Sequence, residues 1–194
     1  IRWMAMIKKQ NQIKEMVDAL THLLSYSIRD TDELVLLEDE LSMLQEYVKI
    51  QKVRYQDFTF TIHKEEGIEG VQILKFLLQP LIENALIHGL SDYEGFGKVN
   101  LSIHIKDNML YIEVNDNGKG ISHDRLLYIQ RILAGKSTGK HIGLLSIQER
   151  IQASYGSSYG LKVSSGKDKG ATMELRLPII RNKEVKVDEE SNDC

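Results

Sequence analysis

The 194-residue chain is 42% hydrophobic and 27% charged, with a formal net charge of −3, which suits one sizeable core plus an appendage. It has no sustained Lys/Arg block, so its charge gives no reason to expect nucleic acid or an anionic membrane surface as its main partner. Cys194 is the only cysteine, so there is neither a disulfide framework nor a cysteine metal site.

No stretch approaches the ~18 uninterrupted apolar residues of a membrane span, and the start lacks the order of a signal peptide. The chain opens Ile1-Arg2-Trp3 in an already helical pattern and is expected to be part of a longer protein. Over residues 3–28, Met6, Ile13, Met16, Val17, Leu20, Leu23, Leu24 and Ile28 recur at helical spacing, predicting one amphipathic helix. His22 lies on it in a Leu-Thr-His-Leu-Leu setting that reads as packing. A polar break at 29–33 precedes Leu37, Leu41, Leu44, Tyr47, Val48 and Ile50, a second helix with Glu38, Asp39 and Glu40 near its start. The two are expected to form an antiparallel hairpin, which must bury its stripe on the following domain, on a second copy, or on both.

After Tyr55 the period becomes two. Phe58, Phe60 and Ile62 alternate with Thr59, Thr61 and His63, predicting a strand that opens a second domain. A polar loop leads to an apolar helical run over 73–90, with Pro80 inside it predicting a kink or a locally broken first turn and Gly89 ending it. Asn84 and His88 share a face of that helix. Strands over 98–106 and 109–115 turn at Asp107-Asn108 and bring Asp116 to the end of a sheet. Ser122 is placed to N-cap a helix bearing Leu126, Leu127, Ile129, Ile132 and Leu133. Gly135-Lys136-Ser137-Thr138-Gly139-Lys140-His141 then reads as a mobile lid. Helix resumes from 142, strands over 161–165 and 172–177 close the sheet, and 182–194 reads as a disordered tail.

The stretch Glu113-Val114-Asn115-Asp116-Asn117-Gly118-Lys119-Gly120-Ile121 reads as the floor of a nucleotide pocket. A buried Asp116 accepts a hydrogen bond from an exocyclic amine and rejects a carbonyl, favouring adenine over guanine. Gly118 and Gly120 permit positive φ or close backbone approach. Alone, Asp-Asn-Gly after a strand is an ordinary turn signal. Its company is Asn84, an oxygen ligand for a phosphate-bridging Mg²⁺, and the amides around 139–144 at a helix start, which suit phosphate. Lys136 and Lys140 add charge.

This ordered set resembles the N, G1 and G2 boxes of the GHKL ATP-binding superfamily through Glu83-Asn84-Ala85, Asp116-Asn117-Gly118-Lys119-Gly120 and Ile142-Gly143-Leu144. Leu78-Gln79-Pro80-Leu81-Ile82-Glu83-Asn84-Ala85 and Tyr47-Val48-Lys49-Ile50-Gln51-Lys52-Val53-Arg54-Tyr55 resemble the YesM/LytS-type bacterial sensor histidine kinases. The resemblance implies a Bergerat fold, a two-layer α/β sandwich with a mixed, mostly antiparallel sheet, preceded by an N-terminal helical hairpin. It divides the chain into partial dimerisation and histidine-phosphotransfer helices (1–56), a catalytic ATP-binding domain (57–181) and a tail (182–194). It implies ATP and Mg²⁺ as ligands, a homodimer through the N-terminal helices, a response regulator as partner, and a cytoplasmic location beneath a bacterial plasma membrane. Carried over by position, Asn84 ligates Mg²⁺, Asp116 binds adenine, Gly118, Gly120 and Ile121 shape the floor, Gly143 and Leu144 border the phosphates, and Thr172 lies near adenine.

Three positions depart from the pattern. Ile87 replaces a lysine, leaving His88 as the nearest polar side chain for a phosphate, and His141 replaces the first glycine of Gly-x-Gly-Leu. The phosphoacceptor histidine of the resembled group belongs just before the segment matching Ile1, so this chain alone is expected not to autophosphorylate. A GHKL ATPase would need a carboxylate one turn before Asn84, where Pro80 stands. A non-enzymatic nucleotide-binding dimerisation module is the other alternative. A Walker-type loop is excluded because Gln130 stands where its first glycine belongs.

Overall fold

The structure is a computed structural model that describes residues 11–29, 33–55, 57–91, 94–136, 143–166 and 169–181. Helix α1 (Asn11–Arg29) and helix α2 (Leu37–Arg54) are separated by a short strand, β1 (Leu34–Leu36). The Tyr26 hydroxyl donates to Glu40 at 2.6 Å. His22, a turn earlier in α1, stands 3.9 Å from Glu46, later in α2. The helices therefore run antiparallel, as the pattern predicts. His22 does not pack: its side chain is exposed, because Ala19, Leu23 and Tyr26 form the inward face of α1.

The inward face of α2 carries Leu37, Leu41, Leu44, Tyr47 and Val48 into the same core as the strands that follow. Those strands are β2 (Phe58–Lys64), β3 (Val71–Leu74), β4 (Gly97–Lys106), β5 (Met109–Asp116), β6 (Gly160–Ser165), β7 (Ala171–Pro178) and β8 (Ile180–Arg181). Five of them make a sheet in the order β2-β4-β5-β7-β6, with β2 and β4 parallel and the other pairs antiparallel. A second sheet, β1-β3-β8, was not anticipated. It takes the first residues of the apolar run that read as helix, because Ile73 pairs with Val35 and Leu74 with Leu34.

Helix α3 (Gln79–Asn84) starts only after a turn at Lys75 and Phe76, the latter at φ +57°. Pro80 is therefore in the first turn of α3, where a missing N–H costs nothing, rather than inside a longer helix. The helix instead widens after Asn84 into a π-helical turn, Ala85–Leu90. Helices α4 (His123–Leu133) and α5 (Gly143–Tyr155) complete the helical layer. Gln130 of α4 donates to the Val163 carbonyl at 3.1 Å, and Gln148 of α5 accepts from the Leu161 N–H at 2.6 Å, so β6 anchors both. Along β4, β5 and β7 every second side chain is buried beneath this layer while the alternate ones stay partly or fully exposed. The outcome is the expected two-layer α/β arrangement with a mixed, mostly antiparallel sheet.

Candidate functional site

Alternation along β5 puts Leu110, Ile112, Val114 and Asp116 on the buried face, so the strand ends on a carboxylate only 2% exposed. Its Oδ1 accepts from the Gly118 N–H at 2.9 Å. Burial pushes the Asp116 carboxyl above the usual aspartate range, against the opposing pull of the Gly118 and Ala171 N–H groups.

Across the cavity, the Asn84 side-chain amide donates to the Pro80 carbonyl at 2.6 Å. With its Nδ2 so engaged, Asn84 has its Oδ1, an acceptor, to offer a ligand. The π turn that follows brings His88 and Gly89 to the same cavity. Its backbone meets the loop after Asp116 directly. The Lys119 N–H donates to the Gly89 carbonyl at 3.1 Å, a Cβ on Gly118 would overlap that carbonyl, and one on Gly89 would stand 2.7 Å from the Asp116 Cγ. Gly120 sits at φ +71°, and the Ile121 N–H donates to the Ser165 hydroxyl at 2.8 Å. That hydroxyl in turn donates to the Gly170 carbonyl at 2.6 Å, tying the loop to the β6–β7 connection.

The cavity, open to solvent on one side, measures about 320 Å³. Of the residues singled out in the sequence, Asn84, His88, Asp116, Gly120, Ile121, Gly143 and Leu144 line it, and Gly118 shapes it from behind. Two others among the described residues are not brought there. Thr172 accepts from Asn115 at 2.8 Å and is not among the lining residues; its neighbours Ala171 and Met173 are. Their shared parity with buried Leu175 and Leu177 was the signal for that face. Lys136 is exposed on the turn after α4, its N–H donating to the Arg131 carbonyl at 2.9 Å. Lys140 lies outside the described residues.

Arg125 lines the cavity and escaped the sequence reading. Its guanidinium lies 5.2 Å from the centre of the Tyr128 ring, and no motif marks it. Apolar walls from Ile129, Leu144, Val163 and Met173 with one buried acid at the floor suit a flat ring bearing an amine. Asn84 and the start of α5 at Gly143 suit a hydrated cation and phosphate oxygens.

Comparison with known proteins points the same way. Residues 70–181 match the family model described as histidine kinase-, DNA gyrase B-, and HSP90-like ATPase, and residues 1–59 match that described as histidine kinase. The sensor histidine kinase YesM of Bacillus subtilis is 32% identical over 186 residues, 95% of this chain and 31% of the relative. The chain thus spans about a third of the length of that curated relative. The histidine kinase domain of the Erythrobacter litoralis EL346 blue-light activated histidine kinase superposes with a TM-score of 0.52 at 16% identity, covering 87% of this chain and 75% of that one. The histidine kinase ThkA, solved in complex with the response regulator protein TrrA, gives 0.54 at 14% identity, covering 92% and 51%.

Proposed function

We propose that this chain, which belongs to the histidine kinase-, DNA gyrase B-, and HSP90-like ATPase family, is the ATP-binding catalytic portion of a two-component sensor histidine kinase. In this reading the γ-phosphoryl group of ATP passes to a histidine and from there to a response regulator. The observation that carries it is that buried Asp116, Asn84 and the start of α5 border one cavity with apolar walls.

Asp116 accepts the adenine amine, Ile121 holds the ring, and Gly118 and Gly120 keep the floor open. Asn84 offers its Oδ1 to Mg²⁺, while His88 and the Gly143 end of α5 face the phosphates. Magnesium, when bound, supplies charge neutralisation at the phosphates. The chain's own part is to orient the nucleotide and exclude water. It provides no base for hydrolysis one turn before Asn84, because Pro80 is there.

Residues 1–56 serve as phosphotransfer and dimerisation helices and 57–181 as the catalytic domain, with 182–194 a tail. Ile13, Leu20, Leu24 and Ile28 leave an exposed apolar stripe on α1, which suits a second copy. Among the described residues no helix is long and apolar enough to cross a membrane. We place the chain on the cytoplasmic side of a bacterial plasma-membrane protein, where ATP is available. A response regulator as partner has the support of the ThkA–TrrA complex.

Calorimetry with ATP and GTP, each with Mg²⁺, tests the binding half; equal affinities would sink it. Labelled ATP and the natural full-length protein test the transfer half. Acid-labile phosphohistidine is expected, and ATP binding without it would favour a non-enzymatic module.

A further inference from the structure

Helix α2 holds α3 at both ends. At the start, the buried Glu40 carboxylate accepts from the Phe76 N–H at 2.7 Å and the Leu78 N–H at 3.5 Å, holding from a neighbouring helix the turn out of which α3 begins. At the other end, the Tyr47 hydroxyl donates to the Glu83 carboxylate at 2.9 Å. Glu40 and Tyr47 are seven residues, about two turns, apart and so share a face of α2.

The second tie falls where the helix changes character. Glu83 immediately precedes Asn84, and Asn84 is the last residue before the π turn. At that junction the Ala85 N–H is shared between the Ile82 and Leu81 carbonyls, the three-centre bond common where a helix ends or changes width. Asn84 bonds back along its own helix, to Pro80. Glu83 bonds outward, to a residue whose ring is only 7% exposed within the core. A side chain anchored in another helix fixes rotation about the α3 axis, which a bond within the helix does not.

We propose that Tyr47 and Glu83 are a positioning pair that sets the rotation of α3 and thereby aims Asn84 at the magnesium-bearing phosphates. Neither residue is among those lining the cavity. The pair acts through Asn84 and leaves the adenine end, built on β5, untouched. The inference rests on the nucleotide reading above and adds to it the residues that hold the metal ligand in place.

The test is the ratio of ATP affinity with Mg²⁺ to that in EDTA, measured by calorimetry on the whole chain. Tyr47→Phe keeps the packed ring and removes only the hydroxyl. It is expected to lower the ratio about fivefold, the scale of one hydrogen bond, with metal-free affinity unchanged. Glu83→Ala should match it, the double variant should be no worse than either single one, and Glu83→Gln, which keeps an acceptor, should retain the wild-type ratio. A wild-type ratio in Tyr47→Phe overturns the proposal. So does a parallel loss of both affinities together with melting temperature, the mark of a merely structural contact. A wild-type chain with no magnesium-dependent gain instead fails the nucleotide reading itself, before any variant is compared.

Discussion

At the scale of single residues, Asp116 combines the strongest specificity argument with a measurable cost. Burial raises its carboxyl above the ordinary value of 3.8, so the folded chain binds that proton more readily than the unfolded one. The resulting stabilisation is fully present below the ordinary value and is lost as pH rises through the raised one. Asp116→Asn removes this titration. The melting temperature of the variant, measured against wild type without nucleotide, should therefore shift in the variant's favour as pH rises across that window. Nucleotide affinity runs the other way, because only the ionised carboxylate is purely an acceptor. Wild-type ATP affinity should fall as pH drops through the same window, while the variant, weaker by about 1–3 kcal/mol at neutral pH, should lack that step. Asn84→Ala makes a complementary expectation at the opposite end of the cavity. It should abolish most of the magnesium-dependent part of ATP affinity and leave the metal-free part unchanged, read from titrations with and without EDTA.

At the scale of elements, the Gly89–Gly118 contact joins two pieces that no sequence motif pairs. The loop after β5 was legible because Asp116 has the parity of Val114 and Ile112, and the two glycines after it announced close approach. The π turn was not legible. Helical periodicity does not distinguish a turn of the usual width from a wider one, so Gly89, which read only as the end of the run, gave no sign that it is also a contact surface for Asp116. Pro80 was hard to place for a related reason: the run over 73–90 is apolar at most positions, so the switch from strand to helix at Lys75 and Phe76 leaves no clear mark in its hydrophobicity. Gly118→Ala tests the contact. Its Cβ would overlap the Gly89 carbonyl, so the π turn or the loop must move, at a cost of about 1–3 kcal/mol in a denaturant melt. ATP affinity should drop with it, whereas Gly135→Ala, where a Cβ meets nothing within 4 Å and only the strain of φ +69° is added, away from the cavity, should leave affinity near wild type.

At the scale of the whole molecule, the switch between periods of 3.6 and 2 near Tyr55 marked where helices give way to strands, while the fold class was implied by the resemblance carried by the Asn84, Asp116 and Gly143 motifs. Periodicity could not say where the apolar stripe of α2 would go, since a second copy and the following domain both need apolar partners. The structure gives that stripe to the domain: Leu37, Leu41 and Leu44 share a core with Leu101, Ile103 and Leu110. The exposed stripe belongs to α1 instead. This has a consequence for stability. Leu44 is fully buried in the shared core, so Leu44→Ala should destabilise by about 2–5 kcal/mol through lost burial and the cavity left behind. Because the core is continuous, that loss should appear in a single cooperative transition monitored from the sheet as well as from the helices, and MgATP should raise the midpoint of that same transition by mass action. Two separate transitions, with the nucleotide-responsive one unchanged by Leu44→Ala, would mean that the helices up to residue 56 are an independent unit resting on the domain. One transition, shifted down by the substitution and up by the nucleotide, would mean that α2 is part of the nucleotide-binding body.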